Sequence, residues 1–560
     1  MILPRPSPHH AAHTSVHTHS SCTTNPAPAG STGVTVGVPL RILFCAMLIA
    51  LSMSAPAIAL AASQSGRDPA DPPAPPAPAS VPAARIRDDH RPGRNTAPSP
   101  WGAGIAEFND HRRSAVVSAW LTNGLRVHHR QMPQPQGQAF VVIAVSGGEL
   151  LETADNRGIS LLAAAALDNF NALDPARAAE LNLKNRDVHL ECASGPDSIQ
   201  LTLWGSVDDL SFGLRAVVDM LLGPVIDDHA FEVARDSVLA AIDRRAMDER
   251  ARVSDAVVAM LYPQGEVRAA PASAAQIRQI TRASLVAWLD SHLRADGRPI
   301  EAAIVGDLSL EAALRLADAH LARLPARPRP AFALAAAERR IARPPGPIDR
   351  KITVSRPDGL GAAMVGCFGP DLDHLEEQRA LRAAARILTA RLPDALTAAG
   401  ITRPQRAEPP GVGVIASAYP GFGLFIAGAD VEPADVDGAW RVLLTELDRL
   451  VAQGPGVDEL KPVAELLAGL VEKYNQDARY WASVLSRSTT LGVDPDVAFD
   501  GAAFYRALTP DRIRAALQTY CTPATRISVS LTPAPSQPPP AQPPQPVHDD
   551  APDAEAPDRR

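Results

Sequence analysis

Two histidines at i and i+4 with a glutamate between them are the residue pattern that most directly announces hydrolytic metal chemistry. On a helix the two imidazoles project from one face about 6 Å apart, both reach one Zn²⁺, and the glutamate activates the metal-bound water. Neither H-x-x-E-H nor H-E-x-x-H occurs in the 560 residues of this chain. The nearest approach is His374-Leu-Glu-Glu377-Gln378, whose last ligand position holds glutamine. It falls where a helical stretch begins, with Asp373 and Glu376 placed as a capping pair, so it reads as a helix start. His9, His10, His13, His17 and His19 lie in Pro/Ser/Thr-rich sequence and read as low complexity. His128 and His129 follow a short strand and are expected to be exposed.

The chain carries five cysteines. Cys45 lies in the apolar run Ile42–Leu51, which a single basic residue, Arg41, precedes and the A-x-A sequence Ala57-Ile-Ala59 follows. Charge, short apolar core and small residues make a secretory signal, and the core is short for a span of roughly 20 residues. A cleaved signal and an uncleaved anchor both stay open, and the long segment ahead of Arg41 fits a start site lying further downstream. The expected location is exported, in the periplasm or an equivalent space. Beyond the signal only Cys192, Cys367 and Cys521 remain in this reading. Three widely spaced cysteines do not make a disulfide framework, and Cys192 and Cys367, in strand-like sequence, read as small buried apolar residues. A net charge of −8 without a long basic run gives no support for nucleic-acid binding.

The elements around these residues divide the chain. Residues 1–62 read as a disordered N-terminus plus signal, 63–112 as a Pro/Ala-rich linker, 327–349 as an Arg/Pro-rich interdomain linker, and 535–560 as a disordered Pro-rich tail. Two modules of ordinary domain size remain, 113–326 and 350–534. In the first, Asn123-Gly124 turns between short strands, Ala139–Val145 is a buried strand, Gly158–Phe170 a helix, and Ser198–Trp204 a half-buried strand. Helices over Val207–Leu222 and Asp228–Met247 and a strand at Ala302–Gly306 follow. The second repeats the order: strand Gly361–Phe368, helix Glu376–Leu392, strands Val412–Ala418 and Gly423–Ala429, helices Ala434–Val451 and Val457–Ser488, strand Ile527–Leu531. The fold class is therefore α+β with an internal repeat.

Leu121-Thr-Asn-Gly-Leu-Arg-Val127, then Gly147-Gly-Glu-Leu-Leu-Glu152 and Gly158 opening a helix, resembles the entry to the catalytic domain of the pitrilysin/insulinase/mitochondrial processing peptidase family of zinc peptidases. Leu222-Gly-Pro224 with Phe231–Ile242, and Ile304-Val-Gly-Asp307, continue the resemblance, and Arg479-Tyr-Trp481 is similar to the bacterial periplasmic branch. The resemblance covers roughly Trp120 to Pro533. It implies two repeated domains, each a mainly antiparallel sheet packed with helices, the LuxS/processing-peptidase-like fold.

The resemblance also implies where a zinc site would stand. Counted from Gly158, the first histidine position is Leu161, the catalytic glutamate position Ala164 and the second histidine position Ala165. Alignment on Phe231 puts the third ligand at Ala241, with Ala234 in place of another acidic residue. Alkyl groups neither coordinate Zn²⁺ nor activate water, so no metal, no cofactor and no catalytic residue is expected. The family's paired enzymes imply a non-catalytic subunit that helps a zinc-bearing homologue enclose peptides. A stand-alone peptide-binding scaffold and an active peptidase with atypical ligands are the alternatives. Candidate substrate contacts are Arg479 and Tyr480, and the open backbone at Gly411, Gly413, Gly421 and Gly423. Membrane association is expected only through the signal or anchor segment.

Overall fold

A computed structural model describes residues 102–534 apart from 249–250, 252–254, 256–269, 296, 332–342, 355–358, 373, 403, 405–410 and 420–421. The signal, most of the Pro/Ala-rich linker, the Pro-rich tail, Asp373 and Gly421 lie outside the described residues.

The first half runs β1 (Ile105–His111), β2 (Val116–Leu121), β3 (Arg126–Gln131), β4 (Gln138–Ser146), α1 (Ile159–Leu167), the hairpin β5 (Val188–Ser194) and β6 (Ser198–Ser206). It continues with α2 (Leu210–Leu222), α3 (Asp228–Met247), α4 (Ala274–Gln279), α5 (Arg282–Asp290), β7 (Ile300–Gly306) and α6 (Leu310–His320). The second half runs β8 (Ile348–Val354), β9 (Gly361–Gly369), α7 (Leu375–Ala398), β10 (Val412–Tyr419), β11 (Phe422–Val431), α8 (Val436–Gln453) and α9 (Val457–Asn475). It closes with α10 (Ala478–Leu485), α11 (Pro495–Phe499), α12 (Gly501–Arg506), α13 (Pro510–Tyr520) and β12 (Arg526–Pro533).

The sheet orders are β1-β2-β3-β7-β4-β6-β5 and β10-β11-β9-β12-β8. Read from the other end, the second sheet is β8-β12-β9-β11-β10, which matches β3-β7-β4-β6-β5 strand for strand. In each set of five, the last strand in sequence inserts between the first two, β7 between β3 and β4 and β12 between β8 and β9, parallel to the first and antiparallel to the second. All remaining pairs are antiparallel. The repeat expected from element order is thus realised as a shared topology, with the β1–β2 extension belonging to the first sheet alone. The α+β class with two sheet-and-helix domains is borne out.

Local chemistry sets several bounds. Asp227 caps α3 by accepting the Ala230 amide, Phe231, Ala234 and Val238 recur on its buried face, and Arg244 and Arg245 occupy its last turn. At the β2–β3 turn Gly124 has φ 90°, and a Cβ there would overlap the Arg327 carbonyl. Asn123 beside it donates to the carbonyls of Leu321 and Leu324, both at 2.9 Å. The first core lies between the first sheet and α1 to α6, with Val141, Ile143, Leu201 and Ile304 against Leu162, Ala166, Leu214 and Val217. The second repeats this with Val365, Phe425 and Ala427 against Leu381, Leu388, Leu447 and Leu467. Each large aliphatic side chain so buried contributes about 1.5–3 kcal/mol.

Four expectations are corrected. His128 and His129 are inside β3, not beyond a strand, and both are buried, because β3 pairs on both edges and carries cover on both faces. The single helix expected over Val457–Ser488 breaks at Gln476-Asp477, where the Asp477 side chain caps α10 through the Tyr480 amide. Cys367 and Cys521, read as unpaired, form a disulfide between β9 and the end of α13; Cys192 is free and half-buried. Strand β1 lies within the stretch read as linker, where it pairs with β2.

Candidate functional site

Helix α1 starts without a capping side chain of its own: its N-cap is Gly158, at φ 92°. The cap comes from Glu152, whose fully buried carboxylate accepts the amides of Gly158 (2.8 Å) and Ser160 (2.9 Å) and the Ser160 hydroxyl (2.5 Å). Arg157 donates to the same carboxylate at 2.6 Å and to the Ala270 carbonyl. Ser194 on β5 donates to Ser160 at 2.8 Å. A carboxylate at a helix N-terminus also opposes the helix dipole favourably.

On the helix held in this way, Leu161 and Ala165 are half-buried against the first core and Ala164 is buried. Ala241, half-buried, lies on α3, which packs against α1. Ala234 on the same helix is buried. The four positions that the resemblance makes metal-ligating or proton-moving thus belong to two adjoining helices. Their methyl and isobutyl groups offer no lone pair, so the residues present do not fit a zinc ion. The other near-motif fares no better: His374 hydrogen-bonds Asp371 at 2.6 Å, Gln378 donates to the Asp371 carbonyl at 2.5 Å, and Glu376 pairs with Arg512.

Beyond α1 the backbone takes left-handed conformations at Asn169 (φ 50°) and Phe170 (φ 60°), which Asn tolerates and Phe resists. This bend sets the Asp168 carboxylate on the Cys192 amide at 2.8 Å. Strand β5 is an edge strand and that amide points away from β6, so Asp168 occupies a place where an added strand would pair. Burial pushes the Asp168 carboxyl and the Cys192 thiol up. The corresponding edge strand of the second sheet is treated alike: Thr389 on α7 takes the outward Val414 amide of β10 at 3.0 Å. Gly411, Gly413 and Gly423 are buried, and a Cβ at Gly423 would overlap the Pro370 carbonyl, so close backbone packing requires glycine there.

Arg479 and Tyr480 open α10, which lies on the face of the first sheet away from that sheet's own helices. Arg479 is about half exposed, pairs with Glu191 of β5 at 2.5 Å and lies over the Trp204 ring, on which His189 also stacks. Tyr480 stacks on Tyr474, and burial pushes its phenol up to about 12. The structure therefore brings Arg479 to the β5 edge, whereas Tyr480 packs on Tyr474 of α9 and in the cluster that also includes Ala418 of β10.

Sequence reading missed the polar seam under α10 and the segment after it. Glu301 of β7, 1% exposed, accepts from His128 (2.7 Å), from the amides of Thr489 (2.6 Å) and Thr490 (2.9 Å), and from the Thr490 hydroxyl (2.9 Å). Arg487 pairs with Asp197 at 2.9 Å, both 8% exposed. Arg130 covers the Trp481 ring and donates to the Asn475 carbonyl. The available signal was Glu301 itself, a lone charge in the apolar strand Ile300–Gly306.

Residues 279–467 match the family model described as the peptidase M16 inactive domain. No curated protein matches the sequence. The fold is similar to the peptidase M16 inactive domain from Pseudomonas fluorescens, at 19% identity and TM-score 0.60, over 76% of this chain and 100% of that one. A protease from Helicobacter pylori is similar at 15% identity and TM-score 0.60, over 74% and 99% of the two chains. The periplasmic protease PqqL from Escherichia coli is similar at 15% identity and TM-score 0.59, over 81% of this chain and 49% of that one. The chain thus spans about half the length of PqqL. Residues 279–467 match the M16 inactive-domain model and the two-sheet architecture is that of the M16 peptidase fold, which bears out the resemblance to the pitrilysin/insulinase family.

Proposed function

We propose that this chain is a non-catalytic M16 subunit that pairs with a zinc-bearing homologue and forms one wall of a chamber that holds peptides. The observation that carries the reading is the concerted replacement at Leu161, Ala164, Ala165 and Ala241 on two helices that remain capped and core-packed. Decay of an enzyme would not preserve the buried Glu152 cap so completely. The chain spans all of an inactive-domain relative but about half of PqqL and of the ferredoxin protease FusC, which was solved with Arabidopsis ferredoxin.

In this reading Arg479, exposed at the β5 edge beside Trp204, is the side chain that contacts peptide. Asp168 and Thr389 already occupy an outward amide on the edge strands β5 and β10, which favours side-chain contact by a wall over strand addition there. An exported location is supported by the Cys367–Cys521 disulfide, since such bonds persist in oxidising compartments, and by the periplasmic relative. Among the described residues no helix is long and apolar enough to cross a membrane. Affinity purification of the full chain from its native host tests the proposal. Recovery with a second M16 protein carrying an intact H-x-x-E-H is the expected result; a monomer without a partner that binds peptide alone would instead make it a free-standing scaffold.

A further inference from the structure

Arg379, Arg382 and Arg386 follow one another on α7 at i, i+3 and i+7 and so share one face of that helix. Three tyrosines from other elements converge on the same place: Tyr474 at the end of α9, Tyr480 in α10 and Tyr505 in α12. The Tyr480 phenol interacts electrostatically with Arg379, Arg382, Tyr474 and Tyr505, and Tyr505 does so with Arg379 and Arg386. Tyr474 and Tyr480 stack with ring centroids 5.1 Å apart. Burial deepens from one end of the cluster to the other. Tyr474 is 38% exposed, Tyr480, Arg382 and Arg386 are half-buried, and Arg379 and Tyr505 are 5% and 2% exposed.

The donors of this cluster outnumber their acceptors. Arg379 gives one N–H to the Val497 carbonyl at 3.2 Å, and its guanidinium lies 5.3 Å from the centre of the Phe504 ring. Among the described residues neither Arg382 nor Arg386 has a hydrogen bond or an ion pair, and the Tyr505 hydroxyl, shut off from water, has no partner. The carboxylates of α7 and α9 that would serve are taken elsewhere: Glu376 by Arg512, Glu459 by Arg391, and Glu465 and Glu472 by Arg506. The charged group that Arg386 does feel is another cation, Arg382, and burial together with that repulsion pushes its guanidinium down. Cations withdrawn from water without a counter-charge are costly, and so is a buried hydroxyl without an acceptor. One anionic ligand would relieve both.

We propose that the arginine face of α7, with Tyr480 and Tyr505, is a subsite for the acidic side chains of an extended peptide. Spacing selects this ligand over a single small anion. The helix advances about 4.5 Å from Arg379 to Arg382 and about 6 Å from Arg382 to Arg386. Side chains on one side of an extended peptide recur every ~6.6–6.8 Å. Two carboxylates of a Glu-x-Glu segment therefore stand opposite successive guanidinium groups, and the Tyr505 hydroxyl donates to the inner one. The net charge of −8 on the whole chain repels an acidic peptide in general, so binding has to come from this local reversal of sign. The proposal rests on the reading of the chain as a wall that holds peptides and adds to it the class of peptide.

Fluorescence anisotropy of the full chain with a labelled decapeptide of alternating Glu and Ala tests the subsite without any zinc-bearing partner. The Glu peptide should bind at least about tenfold more tightly than the matching Gln peptide. Arg382→Gln and Arg386→Gln should each weaken it about tenfold, and the double variant more. Tyr505→Phe removes only the unmet hydroxyl, so it should weaken binding about threefold or more without lowering the urea midpoint. Arg315→Gln, at an exposed arginine of α6, should leave the affinity unchanged. Equal affinity for the Glu and Gln peptides, full binding in the double variant, an equal loss in Arg315→Gln, or inorganic phosphate binding as tightly as the Glu peptide would each overturn the proposal. Acidic-peptide binding by a chain that purifies without a zinc-bearing homologue would keep the subsite and remove the partner. A partner recovered with a chain indifferent to acidic peptide would do the reverse.

Discussion

The Glu152 carboxylate holds Ser160 twice, through its amide at 2.9 Å and its hydroxyl at 2.5 Å, and so starts a helix from a residue that is not part of it. Removing the carboxylate would leave the Gly158 and Ser160 amides without their acceptor inside the fold and take from Arg157 one of its acceptors, the Ala270 carbonyl and Glu149 remaining. Glu152→Ala is expected to cost about 3–5 kcal/mol and Glu152→Gln less, measured by urea denaturation. A loss of under about 0.5 kcal/mol in Glu152→Ala, the size of an ordinary surface change, would deny the cap its role.

The alkyl positions make a prediction about metal. Elemental analysis of the purified chain is expected to find no stoichiometric zinc. The combined variant Leu161→His, Ala164→Glu, Ala165→His and Ala241→Glu restores donors on adjoining helices and should bind zinc that survives dialysis. Stoichiometric, chelator-sensitive zinc in the wild type would restore the case for an active peptidase.

His129 donates its Nδ1–H to the Ile304 carbonyl at 2.8 Å, and burial holds its imidazole down at about 4. The folded value lies below the unfolded one of about 6.5, so the unfolded chain takes the proton first and stability falls as pH drops from about 6.5 toward 4. The effect is on the order of 3 kcal/mol when complete. Urea midpoints between pH 7.5 and 4.5 should fall less steeply in His129→Gln than in the wild type.

The disulfide closes a separation of 154 residues within the second half. Loop-closure entropy assigns such a crosslink about 5 kcal/mol, and removal of native disulfides costs about 2–5 kcal/mol. Replacing Cys367 and Cys521 together by alanine should lower the denaturant midpoint accordingly, whereas Cys192→Ser, half-buried and unpaired, should change it little.

Arg479 and Glu191 are an exposed pair, and such pairs contribute little to stability. Arg479→Ala is expected to leave stability within about 0.5 kcal/mol. Loss of partner-dependent peptide cleavage in that variant can then be read as lost contact with peptide, while full activity would remove Arg479 from the substrate wall.

Local signals were legible where the residues that decide an element are neighbours in sequence. Helix α3 has its cap, its apolar spacing and its basic last turn inside Asp227–Met247, and the expected bounds match the structure. The Asn123-Gly124 turn is legible for the same reason. The misses share the opposite property. Nothing near His128 announces Glu301 and Ser488, nothing near Cys367 announces Cys521, and the bonds of Glu301 to Thr489 and Thr490 span 188 and 189 residues. The helix break at Asp477 was readable, since aspartate favours caps over helix interiors, but the surrounding apolar periodicity outweighed it in a sequence reading. At the candidate centre the sequence located the alkyl positions, while the Glu152 network that supports them depends on contacts with Ser194 and Ala270.

The far face of the first sheet has a temporal consequence. Val116, Val142, Ala303 and Val305 find their cover in Ala478, Trp481, Ala482 and Leu485. A chain emerging N-terminus first completes its first seven strands with β7, yet that sheet keeps an uncovered apolar side until α10 has been made. Any nascent or truncated form ending before Ala478 therefore presents a sticky surface, and a holdase or rapid completion of synthesis must protect it.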